Sequence, residues 1–156
     1  GWRPERERMM LAVLKTFPDL KIIIRGSYWS QKSSNKIIKD VLIPKSIYGK
    51  EFGAFLRSSR INLNVIDDTN FPAANMRFFE VPAVGGLQIC SSCPEQENIF
   101  IDKEHILYFN NENDLCNQVD FVIKNPEKAQ LIRTAAHQLV TSGHTYAHRM
   151  SQLVGQ

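Results

Sequence analysis

Residues 61–90 carry the feature that most restricts the fold. Ile61, Leu63 and Val65 alternate with Asn62 and Asn64, a period of two that marks a strand. A second strand-like run, Leu-Gln-Ile-Cys, occupies residues 87–90. Between them lies one helix-length segment that begins near Asn75 and stops at Gly85-Gly86. Strand, helix and strand in this order make a β-α-β unit. In open α/β sheets, ligands bind beyond the carboxyl ends of the strands. Asn75, Arg77 and Glu80, near the start of this helix, are therefore candidates for holding a nucleotide.

The same alternation extends over the rest of the chain. Pro4 suits a first helical position, and Met10, Val13, Leu14 and Phe17 form one apolar stripe behind it. Residues 20–24 are a short apolar run of the kind buried on both faces of a parallel sheet. Residues 27–35 are polar and read as a loop. Val41, Leu42 and Ile43 form a short strand closed by Pro44. Residues 47–58 read as a helix with Phe52, Phe55 and Leu56 on one side, and 106–109 as a strand. Leu115, Val119, Val122 and Ile123 recur at helical spacing. Asn125 is placed to cap, and Pro126 to start, a further helix through Ala129, Ile132, Ala136, Leu139 and Val140. Gly143 suits its C′ position, and Thr145 a last cap. Alternating strands and helices predict an α/β domain with a doubly wound, Rossmann-like parallel sheet.

At 156 residues the chain suits one domain over 1–156. It enters a helix almost at once, whereas a doubly wound domain normally begins with a strand. It therefore reads as part of a longer protein whose first strand lies outside it. No apolar run approaches the ~20 residues that span a bilayer. Three cysteines, Cys90, Cys93 and Cys116, are too few and odd in number for a disulfide framework, which suggests a reducing, cytoplasmic compartment. The 19 Lys+Arg are mixed with 16 Asp+Glu and form no basic stripe, which argues against nucleic acid.

Each polar group of the central unit has two readings. Glu80 could accept hydrogen bonds from ribose hydroxyls, as acidic residues do in dinucleotide folds, or be a solvated helix glutamate. Arg77, three residues earlier, could pair bidentately with a diphosphate or form a surface ion pair with Glu80, worth ~0–1 kcal/mol. Asn75 fits an N-cap, and the free N–H groups of that first turn would suit a phosphate. Pro82 is awkward inside a helix because it deletes a hydrogen bond. Tyr28, Trp29, Phe71, Phe78 and Phe79 could stack a base or fill the core.

These residues resemble the signature of spore-maturation-type (CgeB-like) glycosyltransferases of the GT-B superfamily. That pattern runs from a strand ending in Asn to N-x-R-x-x-E-x-P-A-x-G-G, and Asn75, Arg77, Glu80, Pro82, Ala83, Gly85 and Gly86 match it. Pro4-Glu5-Arg6, Arg25-Gly26 followed by Trp29, Tyr48-Gly49, and His144-Thr145-Tyr146 with Arg149 resemble further motifs in the same order. The resemblance implies the C-terminal, nucleotide-sugar-binding half of a GT-B enzyme, with the acceptor held by an N-terminal domain absent from this chain. Glu80 would hold the donor ribose. Arg6 and Arg77 would contact the diphosphate, and Asn75, Gly26 and Trp29 would complete the site. Family-4 enzymes often carry a glutamate eight positions before the ribose carboxylate. Here Pro72 stands there, which leaves the sugar and the stereochemical outcome open.

The implied chemistry needs no metal or other cofactor, since arginines and helix amides can offset the charge of a departing diphosphate. Asp67-Asp68 is the nearest carboxylate pair, and adjacent strand-end aspartates usually face different ways. Cys90-Ser-Ser-Cys93 has C-x-x-C spacing, but without a second such pair it reads as strand-end cysteines. The competing reading of the whole chain is a non-catalytic, flavodoxin-like α/β binding or regulatory module.

Overall fold

The computed structural model describes residues 1–66, 71 and 73–144. The expected Thr145 cap and the Tyr146 and Arg149 motif, like Asp67-Asp68 and Pro72, lie outside the described residues. The chain folds as α1 (Pro4–Thr16), β1 (Ile24–Arg25), α2 (Ser27–Lys32), α3 (Lys36–Asp40), β2 (Leu42–Ile43) and α4 (Gly49–Ser58). There follow β3 (Asn62–Asn64), α5 (Arg77–Ala83), β4 (Gln88–Ser91), α6 (Pro94–Glu97), β5 (Leu107–Phe109), α7 (Glu112–Lys124) and α8 (Pro126–Gly143).

Every described strand pair is parallel, as strands alternating with helices require. The strands form two sheets, β1-β2 and β3-β4-β5. In the larger, Asn62 pairs with Gln88 and Asn64 with Cys90, while Cys90 pairs with Tyr108. Central β4 and its neighbour β5 are buried on both faces: Ile89, Cys90, Leu107 and Phe109 are at most 2% exposed, as is Leu87 just before β4. One core joins Met9 and Val13 of α1 to Leu115, Val119 and Val122 of α7 across Ile89 and Leu107. A second gathers Phe78, Phe100, Ile106, Ala136 and Val140, and a third Leu14, Ile24, Trp29 and Ile38.

The structure departs from the expected elements at several points. The loop expected over 27–35 is confined to residues 33–35, because α2 forms over Ser27–Lys32 with Trp29 as its only buried residue. The strand expected over 20–24 narrows to Ile24–Arg25. Asn125 does not cap α8 with its side chain; its Nδ2 donates to the Phe121 carbonyl at 2.9 Å and closes α7 instead. Gly143 is the last residue of α8, without a positive φ, and His144 is the C-cap. The stop at Gly85-Gly86 is a Schellman turn. Gly85 takes φ +75°, its N–H donates to Pro82 O, and the Gly86 N–H donates to Val81 O, both at 2.9 Å. Gly86 also lets α5 approach β3, since a Cβ there would lie 2.9 Å from Asn62 Nδ2 and Val81 Cγ1.

Candidate active site

The β3-α5-β4 crossover puts the start of α5 at the carboxyl ends of the parallel strands. The segment is fastened there chiefly by side-chain amides, with the Ala74 N–H also donating to the Glu95 carboxylate at 2.5 Å. Asn64 and Asn75 exchange side-chain hydrogen bonds in both directions, at 2.9 and 3.0 Å. Asn64 Nδ2 also donates to Gln88 Oε1 at 3.2 Å. Gln88 Nε2 in turn donates to the Phe78 carbonyl at 3.4 Å. That last contact has a cause in the sequence. Pro82 has no N–H, so it cannot bond the carbonyl four residues back, which is that of Phe78. The buried Gln88 amide supplies the missing donor, and α5 runs through Pro82 to Ala83. Two residues earlier on β3, Asn62 Nδ2 donates to Leu56 O and Leu87 O at 2.9 and 3.1 Å. The polar side of β3 is therefore buried and internally satisfied, as buried amides must be.

Glu80 lies in the first turn of α5, with its side chain 31% exposed, and accepts from Arg77 NH1 at 2.6 Å. The Arg77 guanidinium sits 4.0 Å above the Phe52 ring of α4. A carboxylate is thus half-open to solvent and oriented by an arginine that an aromatic face holds. Arg6, in the first turn of α1, donates from Nε to Val65 O at 3.2 Å and from NH1 to Gly1 O at 2.8 Å. This brings the start of α1 to the end of β3. Gly26 follows β1 with φ +140°, a conformation that favours glycine. Arg6, Gly26, Asn75, Arg77 and Glu80 all occupy carboxyl-end positions, four of them around β3.

Two candidates have other duties. Trp29 is 6% exposed and packed among Leu14, Ile24 and Ile38, so its ring fills the core rather than facing a base. The Asn75 amide is engaged by Asn64, and its Oδ1 also receives the Phe78 N–H at 3.3 Å. The first-turn amides expected to be free are occupied as well. Phe78 N–H donates to Asn75 O, and those of Phe79 and Glu80 to Met76 O. Of the aromatic candidates, Phe78 is fully buried, whereas Tyr28 and Phe71 are exposed.

Arg25, the last residue of β1, was missed as a site candidate. Its guanidinium lies 5.2 Å from the Phe55 ring centroid, and its buried Nε has no partner among the described residues. The sequence signal was only an arginine beside Gly26; its aromatic seat lies thirty positions away.

Cys90 and Cys93 are both fully buried. Burial pushes the Cys90 thiol pKa well above its ordinary value, with the nearby Cys93 adding to the shift. A neutral thiol is neither nucleophile nor metal ligand. A cleft of about 580 Å³ lies between α7 and α8 beside Lys103 and Glu104. These residues precede β5, so the cleft opens at the amino end of the sheet. It is lined by Phe121, Leu131 and Ile132 together with surface side chains such as Lys128 and Gln138, whereas the polar groups that converge lie at the opposite end.

The glycosyl transferase-like family matches residues 3–155 of this chain. No curated protein matches it in sequence. Among solved structures, the chain is similar to the C-terminal domain of a glycosyl transferase group 1 family protein (LpcC) from Francisella tularensis, with a TM-score of 0.65 and 15% identity over 91% of this chain and 78% of that one. It is also similar to sucrose-phosphate synthase from Thermosynechococcus elongatus, with a TM-score of 0.61 and 15% identity, covering 100% of this chain but only 36% of that one. At such identity these likenesses establish the fold, that of GT-B C-terminal domains. The full-length match establishes the rest: this chain belongs to the glycosyl transferase-like family, as a sugar-transfer domain rather than a flavodoxin-like regulatory module.

Proposed function

We propose that the chain binds the donor, a nucleotide-diphosphate sugar, with Glu80 holding the ribose hydroxyls and Arg77 and Arg6 near the diphosphate. The observation that carries this reading is the Glu80 carboxylate itself, partly open at the carboxyl ends of β3 and β4 and steered by Arg77 at 2.6 Å. A carboxylate can accept two hydrogen bonds from a vicinal diol. Ligand binding would draw Arg77 away from a weak exposed ion pair toward phosphate oxygens, where bidentate geometry is favourable. As the glycosidic bond breaks, negative charge grows on the departing diphosphate, and guanidiniums already in place stabilise it. This mode needs no metal.

The order of motifs supports the spore-maturation-type (CgeB-like) subtype, and hexosyl transfer is our assignment from that likeness alone. We assign acceptor binding to a separate N-terminal domain, without which this chain would be inactive. Three free cysteines fit a reducing, cytoplasmic setting. Among the described residues no helix is long and apolar enough to cross a membrane.

A thermal-shift series with uridine, guanosine and adenosine diphosphates tests the reading. Saturation at one hundred times Kd stabilises by about 2.7 kcal/mol, roughly 5–10 °C for a domain of this size. Glu80→Gln is expected to weaken binding of the preferred nucleotide but not of its 2′,3′-dideoxy analogue. A folded chain that none of the three stabilises would refute donor binding.

A further inference from the structure

Arg25 differs from the other rim arginines. Arg77 has Glu80, and Arg6 has the carbonyls of Val65 and Gly1. Among the described residues Arg25 has no hydrogen bond and no ion pair, only the face of Phe55. Its Nε is buried without an acceptor. A ring quadrupole offsets part of the cost of desolvating a guanidinium. It does not satisfy the N–H groups, and a buried donor without a partner calls for an explanation.

The neighbourhood supplies one. Phe52 and Phe55 are three residues apart on α4, so their rings share one helix face. Each carries a guanidinium: Arg77 over Phe52 at 4.0 Å and Arg25 over Phe55 at 5.2 Å. One arrives from the start of α5 and the other from the end of β1, both at the carboxyl ends of their strands. Glu80 balances one of these charges and leaves the other uncompensated. Planar guanidiniums with restricted rotation are suited to oxyanions, because little side-chain entropy is left to lose on binding.

We infer that Arg25 is an anion-contact residue which, paired with Arg77 on the aromatic face of α4, takes phosphoryl oxygens of a nucleoside diphosphate. The inference rests on the donor-binding reading above and adds to it a residue from a different sheet. It also gives Phe55 a role, as the seat that orients Arg25.

The test is calorimetric titration of the full chain with three probes: inorganic pyrophosphate, the preferred nucleoside diphosphate and the corresponding nucleoside. Arg25→Gln is expected to weaken both phosphate-bearing probes about tenfold, the scale of one partly solvated charge-assisted hydrogen bond, and to leave the nucleoside unchanged. Phe55→Leu, which keeps apolar bulk but removes the ring, is expected to weaken the same two probes a few-fold. Should Arg25→Gln not fold, Arg25→Lys retains the charge and stem without the fork and is expected to lose several-fold on both phosphate-bearing probes and nothing on the nucleoside. Unchanged pyrophosphate affinity in a folded Arg25 variant overturns the inference, as does an equal loss on the nucleoside. The donor-binding reading fails separately. If the wild-type chain takes pyrophosphate through Arg25 but no nucleoside diphosphate, the anion contact stands and the nucleotide reading falls. If it takes neither, both fall.

Discussion

The Gln88 amide stands in for the hydrogen bond that Pro82 removes, and this can be measured as a coupling. Replacing Gln88 with Leu keeps a buried side chain of similar length but leaves the Phe78 carbonyl without a donor. Asn64 Nδ2 loses one acceptor and keeps the other, Asn75 Oδ1 at 3.0 Å. An unsatisfied buried acceptor costs ~1–3 kcal/mol. The replaced bond is long, at 3.4 Å, which places the cost at the lower end, and the added apolar surface offsets some of it. We expect Gln88→Leu to destabilise by about 1–2 kcal/mol, or roughly 2–8 °C in Tm. Pro82→Ala restores the N–H that an unbroken helix would aim at Phe78 O. In that background Gln88→Leu should therefore cost about 1 kcal/mol less. Urea unfolding of the four chains closes the cycle. Additivity within ~0.3–0.5 kcal/mol, the usual result for uncoupled sites, would refute the argument that one amide replaces the other.

Further expectations concern packing and titration. Gly86→Ala would push a methyl against Asn62 Nδ2 and the Val81 carbonyl, which lie 2.9 and 3.0 Å from its Cβ position, and should destabilise by ~1–3 kcal/mol in chemical denaturation. Trp29→Ala should cost ~3–5 kcal/mol, and Trp29→Phe should leave nucleotide affinity unchanged in a folded sample, because the ring belongs to the core. Burial raises the pKa of both the Cys90 thiol and the Tyr108 phenol above their ordinary values of 9.0 and 10.0. The folded state thus keeps protons that the unfolded chain releases. Their contribution to stability is complete below pH 9 and is lost progressively as pH rises above it. Urea midpoints measured from pH 8 to 11 should fall over that range, and less steeply in Cys90→Ala.

The central crossover was legible because its punctuation is local. Alternation sets β3, Gly85-Gly86 stops α5, and the three-residue spacing joins Arg77 to Glu80. The fate of Asn62 and Asn64 was not legible. A period of two shows which residues share a face, but not that both faces are covered or that the Leu56 carbonyl needs a donor. Helices α2 and α3 were invisible for a related reason: each buries one large side chain, Trp29 or Ile38, too few to produce a stripe. Motif likeness singled out Trp29 as a site residue, but an aromatic at a motif position can equally serve packing, as its ring does among Leu14, Ile24 and Ile38. Arg25 needed the fold, since only the tertiary structure brings Phe55 beneath it.

The amide ladder under α5 carries no formal charge at Asn64, Asn75 or Gln88. Neither ionic strength nor acidity between mildly acid and neutral conditions can loosen it by titration or screening. A ligand that binds less tightly in concentrated salt would therefore be reporting on its own charges and those of the arginines it meets, with the supporting framework standing still.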